Sequence, residues 1–255
     1  MKQRGRGTLP KNKGVTVKLP TQETRRKRVY KSVAVVHEGN LFGVALDDRP
    51  LHTPGRTKLE TPSKALAEAI SVEWDSQTEH ITPGLMPLTK LLNTSLDRIA
   101  PNADTVVADL LSYLDTDLLC YRVDDPPDLV ERQSAIWQPV LDWLAHTHDV
   151  VLTVGTGLMP LSHPDESHRR AEQALAALNT TELTCMQATA GLTASLSLGL
   201  ALVGGKLSSA ETAAAANLDE TWQMEKWGED QEALDRIAGL ASDILAVETF
   251  MKLST

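Results

Sequence analysis

Residues 183–205 carry no charged side chain, a gap bounded by Glu182 and Lys206 in a chain that is otherwise 23% charged. A stretch of that length can cross a bilayer. Its composition argues otherwise: Thr184, Gln187, Thr189, Thr193, Ser195 and Ser197 interrupt it, and Ala and Gly fill much of the remainder. Small and hydroxylated residues suit a helix enclosed by other helices better than one facing lipid. We therefore expect one buried central helix over this stretch and no membrane insertion. With 255 residues the chain is long enough to build a sizeable core around it.

The flanking sequence changes character once. Over 29–60 the run VYKSVAVVHE is rich in β-branched residues, Gly39-Asn40 supplies a turn, and LFGVALD follows as a partner strand. Asp47-Asp48-Arg49-Pro50 makes the next turn, LHT a short strand, and Pro54-Gly55 a further turn. From 61 onward the pattern is helical. Thr61-Pro62 reads as a helix start, with Leu66, Ala69, Ile70 and Trp74 at helical spacing; further helices are expected around Leu88–Ile99 and from Asn102. DLLCYRV at 117–123 fits a strand or a helix. Downstream, Leu129 to Leu144 form a helix that Pro139 should kink or divide. Helices follow at about 165–178, at 208–227 as one Ala-rich element closed by Gly228, and at about 230–253. The expected class is α+β: a basic arm at 1–28, a small N-terminal antiparallel β domain at 29–60, and a larger mainly α-helical domain at 61–255.

Charge is divided as sharply as secondary structure. Residues 1–31 hold eleven of the 25 Lys and Arg but one of the 34 acids, which leaves 14 basic and 33 acidic residues for the body. Such a body repels nucleic acid and favours basic partners, so no nucleic-acid partner is expected. The arm is basic and poor in acids, as targeting peptides are, yet Gly5, Gly7, Pro10, Gly14 and Pro20 prevent one amphipathic helix. A bacterial cytoplasm is the expected location, with a mitochondrial matrix as the alternative. Cys120 and Cys185 lie far apart without metal-ligand spacing and read as buried free thiols.

Motifs for chemistry are weak. LVGGKLS lacks the spacing and the preceding strand of a phosphate-binding loop. The pairs His146/His148 and His163/His168 do not put two imidazoles on one helix face, so no metal site is expected. No G-x-S-x-G elbow is present. Two clusters of acids with Trp are more informative. In SVEWDSQ, Glu73, Trp74 and Asp75 sit late on a helix, where acids oppose the dipole and call for a tertiary partner. In LDETWQMEKWGED, Leu218 and Trp222 share one face while Glu220, Met224 and Trp227 share another, so Trp222 suits the core and Trp227 a contact surface.

The segments RVYKSVAV (28–35), LDDRPLHTP (46–54), VEWDSQ with ITPGLMPLTKLLNTSLD (72–97), YLDTDLLCYR (113–122), the Trp137–Trp143 stretch and LDETWQMEKWGEDQEA (218–233) resemble those of a known family. It is the assembly chaperone family of the F-type ATP synthase catalytic head, found in mitochondria and alphaproteobacteria. The resemblance spans about 28–233 and excludes the basic arm. It implies a small β domain joined to a larger helical domain, no catalysis and no cofactor; separately, the chain is expected to be monomeric when free. It also implies a client: the unassembled alpha subunit of the head, shielded until it meets its partner. By position in the motifs, Glu220, Trp222, Glu225 and Trp227 are the candidates for client contact, and Glu73, Trp74, Asp75 and Asp117 for bracing the junction between domains. The reading from another class is a hydrolase with its acids in the interdomain cleft, which a perturbed carboxylate pair in a closed pocket would favour.

Overall fold

A computed structural model describes residues 26–157 and 159–255, so most of the basic arm lies outside the described residues. Strands β1 (Val33–Glu38) and β2 (Leu41–Leu46) form a hairpin. Its two-residue turn starts at Gly39 with φ 63°, the positive value this tight connection demands of its first residue. The next turn, Asp47-Asp48, has both residues left-handed at φ 48° and 64°, a conformation Asp tolerates. The Asp47 carboxylate accepts the amides of Lys31 and Ser32, both at 2.9 Å, which fixes the chain entering β1. Strands β3 (Arg49–Pro50) and β4 (Glu60–Thr61) both pair with β2, completing a four-stranded antiparallel sheet.

Thr61 thus ends a strand, and the helix start sits two residues later than expected. Ser63 caps α1 (Lys64–Asp75) by accepting the Leu66 amide. Helix α1 lays Leu66 and Ile70 under the sheet, where they join Val44 and Leu59 in one apolar cluster. The same cluster takes Leu88 and Leu92 from α2 (Pro87–Thr94), and Ile244, Val247 and Phe250 from α10 (Gln231–Leu253). The C-terminal helix therefore closes against the N-terminal sheet, and Ser63 Oγ donates to the Leu253 carbonyl.

A second cluster fills the helical body. It gathers α3 (Ala103–Leu111), α4 (Pro127–His148), α5 (Asp165–Ala176), α6 (Thr180–Thr193) and α7 (Leu196–Val203) around Leu110, Trp137, Leu144, Leu183, Met186 and Leu198. Residues 117–123 resolve as a 3₁₀ turn, Leu118–Cys120, then β5 (Tyr121–Arg122), which pairs in parallel with β6 (Gly155–Thr156). Pro139 does not divide its helix: α4 runs unbroken over 22 residues. Among the described residues no helix is long and apolar enough to cross a membrane.

Two expectations of single helices are corrected. The uncharged stretch is α6 and α7, split at Ala194, which is left-handed at φ 52°, and at Ser195, whose hydroxyl caps α7 through the Leu198 amide. The physical reason lies 78 residues upstream in Asp117: its carboxylate receives Ser195 Oγ–H and the Ser197 amide, each at 2.8 Å. Likewise the Ala-rich stretch is α8 (Ser209–Ala216) and α9 (Leu218–Trp227), with the turn at Asn217, whose side chain donates to the Ala213 carbonyl at 3.0 Å. The glycines after α7 mark its end, where Lys206 and Leu207 both donate to the Ala201 carbonyl.

Because Ala194 pays a steric cost in a conformation glycine adopts freely, Ala194→Gly should stabilise the chain by about 0.5–1 kcal/mol. The denaturant midpoint should rise with an unchanged slope; a lower midpoint would contradict the strain assigned to this corner.

Candidate functional site

The acid-and-tryptophan segment 218–227 is α9, held between two longer helices. Leu218 and Trp222 face inward, at 3% and 6% exposure, and Gly228 ends the helix at φ 103°. Trp222 Nε1 donates to Asp128 Oδ2 at 3.1 Å, and Lys226 Nζ lies 2.6 Å from the same oxygen while reaching over the Trp222 ring. One turn further along α4, Arg132 holds Glu225 through two parallel bonds of 2.9 Å. Gln133 donates to Asp219 at 2.7 Å. On the other flank Arg236 of α10 pairs with Glu220.

Trp227 has no such enclosure. It is 75% exposed, meets Trp222 edge-on at 5.7 Å, and is the one tryptophan among the large exposed hydrophobic side chains. Of the four candidates on this helix, Trp222 is therefore an anchor, Glu220 and Glu225 are ion-paired within the chain, and Trp227 faces outward.

The Lys226 ammonium and the Trp222 N–H hold the Asp128 carboxyl below the usual range, and Arg132 does the same to Glu225. A depressed folded-state pKa means that these contacts contribute above the unfolded value, about 4, and are lost as pH falls through the folded one. Acidification below about pH 4 should therefore move the Trp222 indole N–H signal in a ¹⁵N–¹H spectrum. Asp128→Asn should show the low-pH position already at pH 7. An indole signal indifferent to both would contradict this seating of α9.

Glu73, Trp74 and Asp75 lie at the end of α1. The Glu73 carboxylate accepts the Leu88 and Thr89 amides at 2.7 and 2.8 Å, capping α2 from a neighbouring helix. Asp75 pairs with Arg28 at 3.1 Å, and the Trp74 ring lies 5.9 Å from Tyr30, whose hydroxyl donates to the Trp74 carbonyl. Arg28 also donates to the carbonyls of Asp75 and Gln77, so this last residue of the expected arm is fastened to the C-terminal end of α1. Asp117 sits apart from this group, fully buried in the helical body, with Leu119, Ser195 and Ser197 as its partners. Burial pushes its carboxyl upward against those bonds. It is the one acid raised in this way among the described residues, and it is sealed in the core.

Several residues of these networks escaped sequence reasoning. No sequence motif singles out Asp128 and Arg132, the two residues of α4 that hold α9. Asp97, in the π-helical turn after α2, grips the sheet's far turn through Thr53 Oγ1 at 2.6 Å and the Gly55 amide at 2.7 Å. Its presence at the end of LNTSLD was the available signal. No group of three or more His, Cys, Asp or Glu is placed to hold a metal ion among the described residues. Cys120 and Cys185 are buried free thiols, both pushed up to about 12 by desolvation.

Residues 27–145 match the family described as ATP12 chaperone protein. Protein atp12, mitochondrial, from Schizosaccharomyces pombe is 24% identical over 226 residues, covering 84% of this chain and 78% of that protein. Among solved structures, Atp12 from Paracoccus denitrificans superposes with a TM-score of 0.81 at 35% identity, covering 90% of this chain and 99% of that one. The Atu1473 protein from Agrobacterium tumefaciens gives 0.82 at 39% identity, covering 90% and 86%.

Proposed function

The chain belongs to the ATP12 chaperone family, and from that premise we propose that it serves assembly of the F-type ATP synthase head by binding and shielding the unassembled alpha subunit. It acts by contact, without catalysing a reaction and without a cofactor. The client meets the end of α9, with Trp227 as the apolar anchor and Glu220 and Glu225 on the rim.

The observation that carries this reading is the exposure of Trp227 on a rigid mount. A large apolar side chain held in water is a cost the chain bears alone and recovers when a partner covers it. The mount matters because a helix already locked to α4 and α10 loses little further freedom on binding. Glu220 and Glu225 are already paired with Arg236 and Arg132, so the attraction for a client surface with basic groups comes from the acid excess of the body. An unassembled subunit exposes apolar interface that aggregates, which a chaperone of this design would cover. We place this activity in a bacterial cytoplasm, consistent with relatives of known structure from bacteria.

A direct test dilutes denatured alpha subunit into buffer with and without the chain and follows light scattering. We expect suppression at equimolar chain for the alpha subunit and none for the beta subunit. Equal scattering with and without the chain, or equal protection of both subunits, would contradict the assignment of the client.

A further inference from the structure

A cleft of about 640 Å³ opens between the turn at His52–Pro54 and helix α2, and it shares no residue with α9. Its volume lies in the range of sites that enclose a ligand. Trp74, Ile81, Pro83 and Met86 supply an apolar surface, while Arg26, His52 and Lys90 supply basic groups. No carboxylate residue lines it. In a body with 33 acids against 14 bases beyond residue 31, a lining of that sign is against the trend of the whole surface. Two acids adjoining the lining are committed elsewhere: Glu73, beside Trp74, to the amides of α2, and Asp97 to Thr53 and Gly55. None of the three basic residues is ion-paired among the described residues.

The wall also holds two unmet polar atoms. Trp74 Nε1, a donor, and Asn93 Oδ1, an acceptor, are both buried without a partner, and both residues line this cleft. Buried polar groups are normally paired, and each exception calls for an explanation. An extended backbone offers one carbonyl and one N–H per residue, the complement of this donor and acceptor once the wall relaxes around it.

We propose that this cleft binds an extended acidic peptide segment of a partner protein. Apolar side chains of the segment pack on Trp74, Ile81 and Pro83, and its carboxylates meet Lys90, His52 and Arg26. The charge demand is opposite to that of the α9 face, so the two sites take different surfaces. A nucleic-acid strand would satisfy the basic rim, but it would leave the apolar floor unused and would meet the field of the acidic body.

The test is selection of a randomised, phage-displayed heptapeptide library on the full chain, followed by titration of the best peptide. Enrichment of Asp or Glu beside apolar residues is expected, with affinity falling about tenfold or more in Lys90→Glu and in His52→Glu. Both are surface changes that keep the fold. In a ¹⁵N–¹H spectrum the five Trp give five indole signals. The one missing from Trp74→Phe should move when the peptide is added. A library without enrichment, enrichment free of acids, affinity unchanged by both charge reversals, a stationary Trp74 signal, or tighter binding of a single-stranded oligonucleotide would each overturn the proposal. None of these outcomes bears on the alpha-subunit assay, so the two readings fail separately.

Discussion

Asp117→Ala is expected to cost about 3 kcal/mol and to lower the thermal midpoint by roughly 6–12 °C. Three donors converge on this carboxylate: the Leu119 amide at 3.0 Å, the Ser195 hydroxyl and the Ser197 amide. All three are buried, so alanine leaves them facing an apolar void where no partner replaces the one removed. The damage is also architectural. Asp117 caps the 3₁₀ turn at Leu118–Cys120 and at the same time fixes the start of α7, so one side chain sets the corner between two buried helices. Asp117→Asn should fall between wild type and alanine. Its amide oxygen can replace one acceptor, but its NH₂ cannot receive the remaining N–H. A midpoint within 2 °C of wild type for the alanine variant would contradict this role.

The second large effect concerns binding. Trp227→Ala should weaken association with the alpha subunit by roughly 30–140-fold, the range for loss of an aromatic anchor worth about 2–3 kcal/mol. At 75% exposure, its removal should change stability by less than about 0.5 kcal/mol. This separation makes Trp227 the cleaner probe of the four. Trp222→Ala would remove the buried anchor of α9, and Glu220→Lys would place a cation against Arg236, so either could lose binding by shifting the helix. Glu225→Gln keeps the shape but weakens the grip of Arg132, and a small effect is expected on both readouts. Titration by isothermal calorimetry beside thermal melts distinguishes the cases. Unchanged affinity in Trp227→Ala would remove the anchor from the account.

Local chemistry announced the order of elements well. The turn at Gly39, the paired Asp residues after β2, and the helix closed by Gly228 are short-range signals, and the sheet-then-helix division follows from them. What sequence could not disclose were decisions made at a distance. Nothing in 183–205 marks Ala194 as a corner, because helical propensity is similar on both sides and the acceptor that stabilises the break is Asp117. The same holds for 208–227. The Trp137 indole donates to the Ala215 carbonyl at 2.9 Å, just before the chain turns at Asn217, a contact between residues 78 positions apart. Pro139 shows the converse: a local breaker does not divide its helix, since α4 remains continuous where its neighbours enclose Trp137, Val140 and Leu144. For the site, the spacing of Trp222 and Trp227 predicted their opposite environments. The clamp that makes α9 rigid comes from Asp128 and Arg132, more than 90 positions away, and no periodicity within α9 points to them.

The central claim, that this chain holds the alpha subunit before assembly, is tested most directly by co-expressing the two proteins without the other subunits and passing the soluble fraction over a size-exclusion column. The account predicts a soluble one-to-one complex that is lost or sharply reduced with Trp227→Ala while that variant remains folded. Alpha subunit found only in the insoluble fraction, with the wild-type chain eluting alone, would contradict it.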